Sequence, residues 1–138
     1  MRDRTPSDIT TPESYLGYAR LDRYVGPVIF DRVAAYRIPR RALAQDELVY
    51  SGRWTLTAEH AVAGEDALLR LRFQANDIFL VLAGEGSVEV VVDGRRVKAV
   101  AVSGLPRLYT LARFPKLRRG LLELGFSPGI EGYAFTFG

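Results

Sequence analysis

From Asp46 to the end of the chain, apolar and polar residues alternate with a period of two. Alternation of this kind is typical of antiparallel strands that bury one face, because successive side chains of a strand point to opposite sides. Five segments show the pattern: 48–56, 69–74, 88–92, 122–126 and 133–137. A sixth segment, 78–82, is apolar throughout, as expected for a strand that is covered on both faces.

Turn signals separate these segments at hairpin spacing. Asp93-Gly94, between Val92 and Arg95, is a two-residue hairpin signal because both turn positions tolerate positive φ. Further turn-forming residues cluster at 76–77, 84–86, 103–106 and 127–129. About eight short strands with regular turns predict an all-β protein, a jelly-roll-like antiparallel β-sandwich.

The N-terminal residues read differently. Residues 1–10 are charged and small, which predicts a linker or disordered tail. Thr11 can cap a helix, Pro12 suits the first helical position, and Glu13 suits the positive end of the helix dipole. Apolar residues at helical spacing follow, so a short helix is predicted over residues 12–22.

Length and composition bound the chemistry. A chain of 138 residues predicts one domain, over residues 11–138, in which residues 28–45 remain ambiguous between strand and loop. The absence of cysteine excludes disulfides, cysteine-ligated metals and thiol exchange by these residues. No apolar run approaches the ~20 residues of a spanning helix, so a soluble chain without membrane insertion is predicted.

Charge is distributed in blocks. Residues 42–93 carry three basic and nine acidic groups, whereas residues 94–138 carry eight basic and two acidic groups. The basic segment 94–120 is open to interpretation as an anionic-polymer surface. Equal and opposite blocks favour pairing between neighbouring strands instead, and no nucleic-acid partner is predicted.

No catalytic constellation is present in the sequence. The single histidine, His60, follows a strand and has no serine in a Gly-x-Ser-x-Gly setting as its nucleophile. Glu85, Glu89 and Asp93 do not match a calcium-ligand spacing. We therefore predict no catalytic residue, no metal and no cofactor.

A ligand-binding face is the remaining possibility. Tyr109 alternates with its neighbours so that it shares a face with Arg107, and on a solvated face its ring could stack on a sugar. The candidate ligand-binding residues are Arg70, Arg72, Gln74, Arg107 and Tyr109. The alternative is a polar sheet face on which arginines pair with Glu89 and Glu123.

Several segments together resemble one family. They are Thr11-Pro-Glu-Ser-Tyr-Leu-Gly-Tyr18, Ser51-Gly-Arg-Trp-Thr55, Leu71-Arg-Phe-Gln-Ala-Asn-Asp-Ile-Phe-Leu-Val-Leu82, Val92-Asp-Gly94, Arg107-Leu-Tyr109 and Gly132-Tyr-Ala-Phe-Thr-Phe-Gly138. In this order they resemble the C-terminal domain of DipZ-type thioredoxin-like proteins, which are associated with cytochrome c biogenesis and thiol–disulfide exchange.

The resemblance implies a sandwich similar to carbohydrate-binding modules, joined behind a thioredoxin-fold domain that carries the redox cysteines. In such parents that domain often lies outside the cytoplasmic membrane. This chain contains no Cys-x-x-Cys, so no catalytic residue of the family can be carried over. Tyr15 and Tyr18 would lie at the junction, where they would pack either on the sandwich or on the missing domain, and they are the candidate residues for docking a thioredoxin-fold domain.

Three functional hypotheses follow. The first is a non-catalytic accessory module that positions or supports a thiol–disulfide oxidoreductase domain, with carbohydrate binding as an added possibility. The second is a protein interaction module that docks a separate partner through its N-terminal helix and its basic segment 94–120. The third, a jelly-roll hydrolase, is disfavoured because the sequence offers no pair of catalytic groups.

Overall fold

The computed structural model describes residues 10–138, which form nine β-strands and no helix. The predicted all-β, antiparallel architecture is confirmed. The strands are β1 (Ser14–Tyr15), β2 (Val33–Tyr36), β3 (Leu48–Leu56), β4 (Ala61–Ala63), β5 (Leu68–Ala83), β6 (Gly86–Val92), β7 (Arg95–Val102), β8 (Arg107–Phe126) and β9 (Glu131–Phe137).

The strands are hydrogen-bonded in the order β1-β9-β4-β3-β5-β8-β6-β7, and β2 pairs with β3. β5 and β8 are the longest strands, with 16 and 20 residues, and they pair with each other from Leu68↔Gly125 to Leu82↔Arg107. The first half of β5 also pairs with β3, whereas its second half pairs with β9. One long strand pair therefore serves both layers of the sandwich.

An irregularity in the middle of β5 makes this possible. The register with β8 shifts between Ala75 and Asp77, a position we call the β5 bulge. Before the bulge the core-facing residues are the odd-numbered 69, 71 and 73, and after it they are the even-numbered 78, 80 and 82. A bulge adds a residue and bends the strand, so the inward face is kept while the direction changes.

The core is continuous across both layers and contains a chain of aromatic rings. The Tyr50 and Trp54 ring centroids are 4.7 Å apart, and those of Trp54 and Phe126 are 4.9 Å apart. The buried polar ends of these rings are satisfied, since the Tyr50 hydroxyl donates to the Leu16 carbonyl at 2.9 Å and Trp54 Nε1 donates to the Ser51 carbonyl at 2.9 Å. Buried tyrosine and tryptophan thus contribute apolar contact without an unpaired polar group.

The predicted helix over residues 12–22 is wrong. In its place β1 pairs with β9, and the N–H groups of Leu16 and Tyr18 donate to the carbonyls of Tyr133 and Thr57. Gly17 lies so close to Glu59 that a Cβ would overlap the Glu59 backbone. A short isolated helix is marginal in water, and here the sheet edge satisfies the backbone donors that a helix would have used.

The ambiguous segment contains β2, whose four residues pair with residues 52–55 of β3. Phe30, just before it, forms an isolated bridge to Leu56. Most of the predicted N-terminal linker, residues 1–9, lies outside the described part of the chain.

We expect Gly17→Ala to destabilise the fold by about 1–3 kcal/mol, because the added methyl group overpacks against the Glu59 backbone. Urea unfolding followed by the fluorescence of Trp54, the single tryptophan, measures the effect. Gly125→Ala is the matched control, since the nearest atom to its new Cβ is 4.0 Å away. Equal stability of the two variants would show that the N-terminal segment does not pack on the β3–β4 turn.

Candidate functional site

Three of the candidate ligand-binding residues share the outer face of the first half of β5. Arg70 Nε lies 2.6 Å from Glu123 Oε2, and Arg72 Nε donates to the Leu43 carbonyl at 3.0 Å. Gln74 is buried, with 3% of its surface exposed, and its side-chain oxygen accepts a hydrogen bond from Arg119. All three side chains are therefore engaged within the sandwich.

Arg107 and Tyr109 lie at the start of β8. The Tyr109 hydroxyl accepts a hydrogen bond from Arg107 Nε at 2.8 Å and bonds to the backbone of Ser103, while the Arg107 guanidinium lies 4.9 Å from the ring centroid. The hydrogen bond from Arg107 lowers the pKa of the Tyr109 hydroxyl. Only 9% of Tyr109 is exposed, so its ring does not provide the solvated stacking surface that sugar binding requires.

The structure does not bring these five residues into one site. Arg107 and Tyr109 pair with Leu82 and Leu80, whereas Gln74 lies on the other side of the β5 bulge. Leu80 is six positions after Gln74, a path of about 20 Å at ~3.3 Å per residue. A ligand role for these residues remains a prediction.

The charge blocks meet across the sheet. Arg96 of β7 lies 3.3 Å from Glu89 of β6, and Arg118 of β8 lies 2.9 Å from Asp93. These contacts match the alternative interpretation, in which oppositely charged strands neutralise each other. Asp93 also accepts the Leu121 N–H at 2.9 Å, and this bond, with Arg118, holds the pKa of the carboxyl below its ordinary range.

Both ends of the described chain are fixed at the β5 bulge. The Thr11 N–H donates to the Gln74 carbonyl at 2.8 Å, and the Thr11 hydroxyl accepts the Gln74 N–H at 2.8 Å and donates to Asp46 at 2.7 Å. Gly138 exchanges backbone hydrogen bonds with Asp77 in both directions. Thr11 is 2% exposed, so the chain enters the sandwich at a well-anchored point.

A pocket of about 490 Å³ lies between β1, β9 and the β3–β4 turn. We call it the Tyr15–Tyr133 pocket; its lining residues are Tyr15, Gly17, Ala19, Arg20, Ala58, Glu59, Tyr133 and Ala134.

Its aromatic side chains are held by polar neighbours. The Arg20 guanidinium lies 5.0 Å from the centroid of the Tyr15 ring, and the Tyr133 ring packs on His60 with a centroid distance of 5.0 Å. The Tyr133 hydroxyl donates to Glu131 at 2.8 Å, and desolvation together with this carboxylate raises the pKa of Tyr133 to about 12. The hydroxyl therefore stays protonated in the physiological range and remains a hydrogen-bonding group.

Sequence reasoning missed this pocket. The alternation in 133–137 assigns Tyr133 to the buried face with Phe135, but the pairing of β5 with β9 is irregular between Leu80 and Leu82. Both Tyr133 and Ala134 are consequently half-buried and line the pocket. The other wall comes from the β1 segment, which the sequence assigns to a helix.

The two candidate docking residues lie near this pocket. Tyr15 lines it, and its hydroxyl donates to Glu13 at 2.6 Å. Tyr18 stacks on Phe30, with centroids 4.0 Å apart and planes 12° from parallel, and its hydroxyl donates to Asp31 at 2.8 Å. Tyr18 thus packs on its own chain.

Residues 10–138 contain no group of three or more metal-ligating side chains arranged to hold an ion. The same residues include no helix with the length and hydropathy needed to cross a bilayer.

We expect Asp93→Asn to lower stability at pH 7 by about 1 kcal/mol or less, since Asn tolerates the positive φ at this position but loses the charge opposite Arg118. A carboxyl whose pKa is lowered by folding stabilises the folded state at pH values above its pKa in the unfolded chain. This contribution is lost as the pH falls through the pKa of the folded state. The difference in the free energy of unfolding between wild type and Asp93→Asn should therefore become smaller below about pH 4.

Urea unfolding at pH 7 and pH 3 checks this. Asp66→Asn is the control, because Asp66 also has positive φ and its carboxylate makes no hydrogen bond or ion pair within the described residues. If the difference in unfolding free energy between wild type and Asp93→Asn is the same at pH 3 as at pH 7, an electrostatic contribution from Asp93 is ruled out.

Comparison with known proteins relates this sandwich to one family. The model of the "Thioredoxin like C-terminal domain" family matches residues 11–138. Protein DipZ of Mycobacterium bovis and protein DipZ of Mycobacterium tuberculosis are each 31% identical over 137 residues, which is 99% of this chain and 20% of theirs. The chain therefore spans about a fifth of the length of the curated relatives it matches.

A solved structure supports the fold alone. A family two carbohydrate esterase from Cellvibrio japonicus superposes with a TM-score of 0.58 at 13% identity, over 77% of this chain and 32% of that chain. The family match begins at Thr11, where the chain is anchored to the β5 bulge, and continues to Gly138. By sequence and fold, this chain belongs to the thioredoxin-like C-terminal domain family.

Proposed function

We propose that this chain is a non-catalytic accessory module that positions and supports a thiol–disulfide oxidoreductase domain. The observation that carries the proposal is the family match over residues 11–138 in a chain that spans 20% of the DipZ relatives. The printed sequence contains no cysteine, so the dithiol chemistry would come from a partner domain or chain.

The geometry of the chain entry supports a positioning role. Thr11 is held by three hydrogen bonds to Gln74 and Asp46, and Gln74 belongs to the strand that links both layers of the sandwich. A domain joined ahead of Thr11 would be attached directly to the strand pair that links both layers. Such an attachment limits the orientations that the partner samples, which is what a positioning module requires.

We expect the purified chain to bind a thioredoxin-fold domain of a DipZ-type protein from the same organism. Calorimetric titration with that domain at up to about 1 mM measures the interaction, since a short linker supplies an effective concentration in the millimolar range. An unrelated thioredoxin is the control and should not bind. Absence of binding to the DipZ-type domain at 1 mM would refute the accessory role.

A second candidate function, carbohydrate binding, is favoured by the Tyr15–Tyr133 pocket. Aromatic rings offer an apolar surface to the C–H face of a sugar, and Arg20 and Glu59 at the rim supply a donor and an acceptor for its hydroxyl groups. A volume of about 490 Å³ lies within the usual range for small-ligand sites. The named substrate class of the esterase that shares the fold agrees with this proposal.

We expect Tyr133→Ala and Arg20→Ala each to weaken sugar binding about tenfold, the equivalent of ~1.4 kcal/mol for one lost stacking or charged hydrogen-bond contact. A glycan array followed by calorimetry on the best ligand measures this. Arg72→Ala and Tyr109→Ala test the residues named from sequence and should leave affinity unchanged. If these two variants lose binding while Tyr133→Ala retains it, the pocket is not the site, and an array without signal removes the candidate function.

A further inference from the structure

An unpaired segment of β8 projects beside the β5 bulge. Asp77 pairs with Arg113 and Ala75 pairs with Arg118, so the single residue Asn76 faces the four residues 114–117. We call residues 114–117 the β8 excursion. Its tip is exposed and includes an apolar residue, Leu117, that is 36% exposed.

The base of the β8 excursion is packed against β5. The Phe114 ring stacks on Phe73 with centroids 5.7 Å apart and planes 8° from parallel. The Arg118 guanidinium lies 4.9 Å from the Phe114 centroid and is itself held by Asp93 at 2.9 Å. These contacts attach both sides of the exposed tip to the sandwich.

Positive charge surrounds this tip. Arg113, Lys116 and Arg119 are exposed, and within residues 10–138 none of them forms an ion pair. Arg95, Lys98 and Arg107 likewise form no ion pair within these residues, so the feature particular to this tip is its position beside the chain entry. Arginine beside exposed apolar surface is a composition that protein interfaces favour.

The chain entry is continuous with this surface. Arg119 Nε donates to the side chain of Gln74, and the backbone of Gln74 binds Thr11. Gln74 thus contacts both Thr11 and Arg119, so a segment that precedes Thr11 begins next to the basic surface. Tyr15 and Tyr18 follow Thr11 by four and seven positions along the chain, and neither contacts Gln74 or Arg119.

We infer that this surface, made by Arg113, Lys116, Leu117 and Arg119 and here called the tether face, docks an acidic patch of the thioredoxin-fold domain joined ahead of Thr11. This inference rests on the proposed accessory function and names the surface that performs it. Because the domain is covalently joined to the chain, docking at this face is an intramolecular contact. A face of a few side chains is therefore sufficient to hold the domain in one orientation.

A protein partner fits this face better than a lipid surface. Within this face Arg119 is held by Gln74, and the adjacent Arg118 is held by Asp93. Fixed arginines suit paired hydrogen bonds to carboxylates. Attraction to an anionic membrane depends on the number of basic residues close to the surface and does not require such order.

Charge reversal at the tether face tests the inference. Titration of the ¹⁵N-labelled full chain with the DipZ-type thioredoxin-fold domain, up to about 1 mM, should shift amides in 74–77 and 113–119. Arg113→Glu with Lys116→Glu should weaken binding about tenfold or more and remove most of its salt dependence. Arg53→Glu with Lys98→Glu is the matched control, because both residues are exposed strand cations outside the face, and it should change affinity less than about twofold.

Each outcome decides the matter. Equal binding by the charge-reversed variant and wild type, or loss of binding only in Tyr15→Ala with Tyr18→Ala, would place docking elsewhere and leave the accessory function intact. No binding by wild type would contradict both the tether face and the accessory function.

Vesicles of phosphatidylcholine with 30% phosphatidylglycerol test a lipid surface as the partner. If charge reversal abolishes vesicle binding but not domain binding, the face is a lipid surface. Circular dichroism confirms that every variant is folded.

Discussion

The pairing of β5 with β8, bent at the β5 bulge, is the interaction on which the rest of the molecule depends. It crosses from one layer of the sandwich to the other, and the bulge reverses which residues face inward without opening the core. A regular strand of this length would turn its second half inside out, placing Ile78, Leu80 and Leu82 in solvent. The same irregularity leaves residues 114–117 unpaired and offers backbone groups to Thr11 and Gly138. Core continuity, chain entry and the exposed tether face thus share one origin.

Local patterns were sufficient to predict the class of fold, and the all-β prediction rests on residues whose environment is local. The structure shows the predicted alternation around Tyr50, Trp54 and Leu122, because these residues lie in strand pairs of regular register. The failures lie where tertiary pairing overrides local preference. Thr11 and Pro12 form a plausible helix start, yet Tyr15 finds a strand partner 119 residues later in Ala134, which no local signal contains. Tyr133 is displaced from the buried face by a register shift, and register depends on the partner strand as much as on the strand itself.

The candidate ligand residues illustrate the same limit in a different way. Arg70, Arg72 and Gln74 do share one face of a strand, as their spacing predicts, but spacing cannot show that Glu123, Leu43 and Arg119 already occupy their polar groups. Tyr109 is shielded from solvent because the turn before β8 brings the backbone of Ser103 into hydrogen-bond contact with its hydroxyl. A polar sheet face becomes a binding site only where its hydrogen-bonding groups are left for a ligand. Arg70 and Arg72 are held within the sandwich, and the remaining candidates are the Tyr15–Tyr133 pocket and the tether face.

Those two regions differ in chemistry. At the β5 bulge a basic surface adjoins the anchored chain entry, whereas the Tyr15–Tyr133 pocket combines tyrosine rings with one basic and one acidic side chain. The N-terminal segment runs between them. The hydrogen bonds of Leu16 and Tyr18 and the close approach of Gly17 fix it to the sheet edge, so this wall of the pocket is held by the sandwich itself. The proposed docking surface and the proposed ligand site therefore rest on different residues of the sandwich, so variants of one can be tested without altering the other.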